Sequence, residues 1–268
     1  MLKDITLGQY FPVDSIIHRL DPRYKIVMIM IYMIMIFSGD SVICLAIGFV
    51  YTALAVALTK ISLKVYFKSI KPVFPFLLFT ALLNILFIRD GDIYFHWKFI
   101  KITSEGVNTS IFMMVRIILL LAGTSVLTYS TSPIVLTDAI ERLLSPLKKI
   151  KFPVHELAMM MSIALRFIPV LIEETNKIIS AQKARGAELD SGNIIAKAKS
   201  LIPILVPLLI SSFRRAEELA TAMECRCYNG GEGRTRLRQM KSGKADYIAL
   251  SVTVFFLILT MTVNIKLK

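Results

Sequence analysis

Two short segments of this chain set an arginine between small neighbours: Ala184-Arg185-Gly186 and Cys225-Arg226-Cys227. A guanidinium is a permanently charged fork of five N–H donors, and flanking residues this small leave room for a partner's acidic or carbonyl-lined groove to close on it. A single cation in a last helical turn would be explained by the helix dipole alone. Two, placed alike at the ends of two similar helices, point to docking. Other reactive groups are sparse. Cys225 and Cys227 form a C-x-C, and with a distant Cys44 they supply neither a disulfide framework nor the paired knuckles of a zinc site. His18, His96 and His155 are too scattered to hold a metal. The chain shows no paired Asp-x-x-Asp, no Ser/His/Asp set and no G-x-x-x-x-G-K-[ST] loop. The run Gly230-Gly231-Glu232-Gly233-Arg234-Thr235 has glycines but no lysine, and reads as a turn. No catalytic residue, cofactor or metal is therefore expected in this chain.

The elements that must carry the two arginines are long helices. From His155 onward, Leu157, Met161, Leu165, Ile168, Ile172, Thr175 and Ile179 recur at three- and four-residue steps, while Glu156, Arg166, Glu173, Glu174 and Lys177 fall opposite. This predicts an amphipathic helix over about 155–186, kinked at Pro169 and capped by Gly186. A turn at Asp190-Ser191-Gly192-Asn193 precedes a second helix over about 194–227. Its first half, Leu201 to Ile210, is apolar and holds Pro203 and Pro207; its second half, Arg214 to Arg226, is charged. The pairs Ile168-Pro169 and Ile202-Pro203 make the helices a weak internal repeat, and the pair a hairpin with an arginine at each tip.

What holds that hairpin is membrane. Of 268 residues, 55% are hydrophobic and 19% charged, against about 45–50% and roughly 25% for a soluble domain. Apolar runs at about 24–37, 42–59, 72–88, 107–128 and 245–265 predict five spans. The net charge of +13 suits basic cytoplasmic loops better than a nucleic-acid partner. Arg19, Arg23 and Lys25 place the N-terminus inside; Lys60, Lys64, Lys68 and Lys71 place the second loop inside; the balanced loop from Arg89 to Glu105, with Tyr94 and Trp97, falls outside. The stretch 129–244 is then cytoplasmic and the C-terminus outside. No cleavable leader is visible, so the first span is expected in the mature chain. Arg116 stands alone inside a span, as a functional group or as a structural contact. The expected architecture is an all-α polytopic membrane protein: a membrane domain (1–128), a cytoplasmic domain of long crossed amphipathic helices (129–244) and a C-terminal transmembrane helix (245–268).

The two tripeptides, the following Tyr228-Asn229-Gly230-Gly231-Glu232-Gly233-Arg234-Thr235 and the early His18-Arg19-Leu20-Asp21-Pro22-Arg23-Tyr24-Lys25 together resemble the transmembrane coupling (T) component of energy-coupling-factor transporters over nearly the whole chain. The second tripeptide departs from Ala-Arg-Gly by its two cysteines. The resemblance implies two ABC ATPase partners, which would bind ATP and Mg, and one or several substrate-binding membrane S components for micronutrient (vitamin) uptake. It implies a multi-pass subunit of the prokaryotic plasma membrane, without enzymatic activity of its own. ATPase docking would use Ala184, Arg185, Gly186, Cys225, Arg226 and Cys227. A sliding surface for the S component would be Met161, Leu165, Ile168, Pro169, Ile202, Pro203, Leu205 and Pro207. The alternatives are a dedicated nickel or cobalt importer, a membrane-embedded lipid-modifying enzyme, and a scaffold or channel subunit. The long amphipathic helices would be idle in the last two.

Overall fold

A computed structural model describes residues 10–88, 92–97, 100–187, 194–230 and 240–267. The turn at 190–193 and most of the glycine run after Gly230 lie outside them. The described residues divide into two compact units, one within 8–136 and 240–268, the other within 137–239.

The membrane unit contains α1 (Ile16–Arg19), α2 (Pro22–Ser38), α3 (Val42–Thr59), α4 (Leu63–Ile70), α5 (Phe74–Phe87) and α6 (Ser104–Ser130). The helix α7 (Pro133–Leu143) begins there and continues into the second unit, which also holds α8 (Val154–Ala184) and α9 (Ile194–Glu224); α10 (Lys244–Leu267) returns to the first. The expected outer loop between α5 and α6 contains an antiparallel strand pair, Ile93–Trp97 with Ile100–Thr103. Its β-branched and aromatic residues favour that conformation over an irregular loop.

Among the described residues, five helical stretches are long and apolar enough to cross a membrane: Val42–Thr59, Leu63–Phe87, Ser104–Ser130, Val154–Ala184 and Lys244–Leu267. This set differs from the expected five at two places. Helix α2 has 17 residues, about 26 Å at 1.5 Å per residue, just under the hydrocarbon thickness of about 30 Å. Helix α8 qualifies because its first half is apolar, with Glu173, Glu174 and Lys177 falling later.

Helix α2 is nonetheless the centre of its unit, packed on α10, α6 and α3. Tyr32, Met35 and Ile36 bury against Leu119, with Leu45, Tyr51 and Phe256 around them. Two glycines permit the approach: a Cβ on Gly48 would run into Ile36, and one on Gly123 into the Tyr32 ring. The Tyr32 hydroxyl donates to Leu119 O (2.7 Å) and pairs with Thr52 Oγ1 (2.8 Å), so the polar end of a fully buried ring is satisfied within the helices.

Candidate functional site

Helix α8 ends in a Schellman turn. Gly186 takes φ +86°, its N–H donates to Lys183 O (3.0 Å), and the Ala187 N–H donates to Gln182 O (3.0 Å). Arg185 is the C-cap. Helix α9 ends in the same turn one residue type at a time: Cys227 takes φ +55°, its N–H donates to Glu224 O (2.8 Å), and the Tyr228 N–H donates to Met223 O (3.1 Å). Arg226 therefore occupies in α9 the position that Arg185 occupies in α8. The left-handed position that glycine fills at the first tip is filled at the second by cysteine, whose Cβ makes it costlier by about 1–2 kcal/mol. All six tip residues, Ala184, Arg185, Gly186, Cys225, Arg226 and Cys227, are exposed. A Cβ added to Gly186 would meet nothing within 4 Å, so the tip is open on that side.

The helices α8 and α9 pack antiparallel. Glu174 pairs with Arg215 at 4.0 Å and Gln182 Nε2 donates to Pro203 O at 3.3 Å, so position rises along one helix as it falls along the other. Both run unbroken through their internal prolines, Pro169 in α8 and Pro203 and Pro207 in α9. An antiparallel pair sends its two C-termini opposite ways; at 1.5 Å per residue the arginine caps stand on the order of 30–40 Å apart. His155 Nδ1, 3.0 Å from Glu141 Oε1, fixes the start of α8 against α7, where Ala139, Val154 and Ala158 are buried.

The apolar halves of the two helices are left largely uncovered within this chain. Met161, Pro169, Ile202, Pro203, Leu205 and Pro207 are exposed, Leu165 and Ile168 half-buried, and only Ile204 of the described α9 residues is buried.

The early segment His18 to Lys25 turns out to be a clamp in the membrane unit, which residue spacing alone did not reveal. The Asp21 carboxylate caps α2 through Arg23 N (3.0 Å) and binds the Arg23 guanidinium, while the Asp21 N–H donates to Asp246 Oδ1 (2.7 Å) at the start of α10. Arg23 also reaches Ser242 Oγ (3.3 Å). Lys25, 3% exposed, donates to Ser130 O (3.1 Å) and Thr131 Oγ1 (3.1 Å) at the carbonyl end of α6, where a cation is favoured. His18 bridges Ser15 Oγ (2.6 Å) and Phe11 O (2.9 Å). Before α2, the exposed Asp14 carboxyl is held below its usual range by hydrogen bonds and charge from Arg19, at 2.7–2.8 Å.

Arg116 proves to be a structural contact. It donates to Gly39 O at the end of α2, lies 3.8 Å from Asp40, and stacks over Phe112 at 4.6 Å. Asn264 Nδ2 donates to the neighbouring Ser38 O at 2.7 Å, so two of the free carbonyls at this end of α2 are answered. An apolar cavity of about 400 Å³ opens between α2, α3, α6 and α10. Its polar groups are spent inward, Lys25 on α6, Tyr32 on Thr52, and Tyr51 on Thr253 at 3.0 Å, and they leave a polar substrate nothing to pair with.

A helical, multi-span membrane chain with two matched, exposed arginine caps defines a class, the membrane subunit that acts through protein contacts. The comparisons narrow it. A family model described as cobalt transport protein, CbiQ, matches residues 14–237. The chain is 51% identical over 257 residues, 96% of each chain, to the energy-coupling factor transporter transmembrane protein EcfT of Ruminiclostridium cellulolyticum. It is 52% identical over 264 residues to that of Acidaminococcus fermentans, covering 96% of this chain and 98% of the relative. To that of Bacillus subtilis it is 44% identical over 263 residues, covering 96% and 99%. The chain belongs to this family of energy-coupling factor transporter transmembrane proteins, and is a multi-pass, non-catalytic transporter subunit of the bacterial membrane.

Proposed function

We propose that this subunit couples two ABC ATPases to one or several S components that capture a micronutrient, with ATP and Mg bound by the ATPases. The observation that carries the reading is the pair of equivalent caps: Arg185 and Arg226 hold the same position in the same turn, exposed, at opposite ends of an antiparallel helix pair. Two identical sockets, one on each of two related ATPase subunits, are what such a pair fits. A dipole-complementing arginine needs no exposed fork and no twin.

Both caps must lie on one side of the membrane to reach a pair of ATPases. Helix α8 therefore lies along the cytoplasmic interface rather than crossing, its charged Glu173, Glu174 and Lys177 in water and its apolar half toward lipid or partner. The exposed stripe of Met161, Pro169, Ile202, Pro203, Leu205 and Pro207 with Leu165 and Ile168 is assigned to the S component, where unbranched Met and apolar side chains can repack against different partners. The N-terminus is inside and the C-terminus outside on this topology. Vitamin-class substrates are favoured over a dedicated nickel or cobalt system because the relatives at about half identity carry the general energy-coupling factor name.

The test is the double variant Arg185→Ala, Arg226→Ala. Each arginine desolvated in a groove is expected to contribute about 2–5 kcal/mol to association. Pull-down of the ATPase pair and uptake should both be lost, with the membrane unit still folded. Wild-type pull-down and uptake at normal expression would remove the docking assignment.

A further inference from the structure

The helix α4, which follows α3 and runs on through Lys71–Val73 into α5 as the start of the Leu63–Phe87 stretch, has three faces set at about 100° per residue. Val65, Tyr66 and Ser69 point inward: Tyr66 is buried against the Tyr129 ring at 5.2 Å, its hydroxyl 3.2 Å from Thr59 Oγ1, and Ser69 is hydrogen-bonded to the Tyr129 hydroxyl. This fixes the rotation of α4 on α6. Leu63 and Phe67, about 40° apart, are then turned out with 62% and 70% of their surface exposed. Lys64 and Lys68 lie about 100° round from that apolar pair, both exposed, and Lys71 follows in the next turn, also exposed. None of the three makes an ion pair among the described residues. The sequence holds no Asp or Glu between Asp40 and Asp90. Past Lys71 the helix continues through Pro72 and Pro75 into α5, whose Phe76, Leu78 and Phe79 are exposed as a lipid-facing span requires.

We propose that α4 is an interfacial anchor that binds anionic phospholipid, with Lys64, Lys68 and Lys71 on the headgroup phosphates and Leu63 and Phe67 in the acyl boundary. A loop satisfied by water alone would not keep Leu63 and Phe67 outward beside a carboxylate-free lysine row. A helix seated at the interface places the apolar stripe in hydrocarbon and the basic row among headgroups at once. An unbalanced row of lysines selects anionic headgroups over zwitterionic ones, at about fivefold per residue. Membrane insertion is established for the family, and the proposal does not depend on how the arginine caps dock.

The full chain, purified in detergent, is titrated with phosphatidylglycerol or with phosphatidylcholine of the same acyl chains, and bound lipid is counted by native mass spectrometry. Wild type should retain phosphatidylglycerol at least about tenfold better, a preference that shrinks as salt rises from about 0.05 to about 0.5 M and that millimolar inorganic phosphate leaves unchanged. The triple variant Lys64→Gln, Lys68→Gln, Lys71→Gln should lose the preference. Lys148→Gln, Lys149→Gln, Lys151→Gln, which removes the same charge at exposed positions of the other unit, should keep it. Phe67→Gln should weaken retention of both lipids while sparing the ratio. The proposal is overturned if the α4 triple keeps the preference, if the control triple loses it equally, or if wild type shows none. Should the α4 triple fail to fold, the single substitutions and the salt dependence of wild type decide.

Discussion

The membrane unit and the α8–α9 pair are both built from helices, yet they bury their side chains very differently. In the membrane unit, α2 buries Lys25, Met28, Tyr32, Met35 and Ile36 and has its first and last turns tied to neighbouring segments, by Asp246 and Ser130 at one end and Arg116 and Asn264 at the other. In the pair, the described residues of α9 bury Ile204 alone, and α8 buries Val154 and Ala158, both in its first two turns. One unit answers its own polar groups, as a structure surrounded by lipid must. Both leave apolar surface open, as lipid allows, but the other buries few of its own side chains and adds exposed charged caps, which suits a unit completed by partners. On the proposed function, the contrast separates residues that hold the fold from residues that would hold the complex.

That separation can be broken by substitution. Beyond the paired arginine variant, which should abolish ATPase recruitment without touching the membrane unit, the next largest effect belongs to Lys25. Lys25→Met strands Ser130 O and Thr131 Oγ1 in a buried site and should destabilise the membrane unit by about 2–3 kcal/mol, seen as an earlier unfolding midpoint in denaturant. Surviving protein should still capture ATPases; loss of capture at unchanged stability would place Lys25 on the wrong side of the division.

Gly186→Val should reverse the pattern. Valine at φ +86° costs about 1–2 kcal/mol, and the strain falls on an exposed helix end rather than on a core. Titrated pull-down should weaken, with no change in the unfolding midpoint of the membrane unit. Cys227→Gly sharpens the comparison between the tips, because it relieves at α9 the strain that α8 avoids. It should leave ATPase capture at wild-type level and raise local stability by no more than about 1 kcal/mol, measured by slower amide exchange of Cys225 to Tyr228.

The smallest effect is expected at Asp14. Arg19 lowers its pKa, so whatever the pair adds is present at neutral pH and is lost as pH falls through that lowered value. Both groups are about three-quarters exposed, and water screens them. Asp14→Asn should leave the unfolding midpoint at pH 7 unchanged; a clear drop would show that the segment before α2 contributes more than its geometry accounts for.

The sequence by itself determined the two long helices, the cap at Gly186 and the family. A three- and four-residue apolar rhythm followed by Gly186 specifies a helix and its left-handed stop locally, and the observed α8, Val154–Ala184, ends within two residues of the expected boundary. The apolar run at 72–88 was legible from hydrophobicity, but the helical stretch begins at Leu63, because α4 is too short and too rich in lysine for its periodicity to stand out, and its outward faces were set only when Tyr66 found Tyr129. Arg116 could not be assigned from its position in a span, since its partners Gly39 and Asp40 lie in a turn 77 residues earlier at the carbonyl contact. The clamp from Asp21 to Asp246 spans 225 residues. Local pattern fixes what depends on neighbours in the chain, the backbone dihedrals and the face of a helix. Which buried donor meets which acceptor depends on helices that approach only after the chain has folded, and the tertiary structure alone decided it.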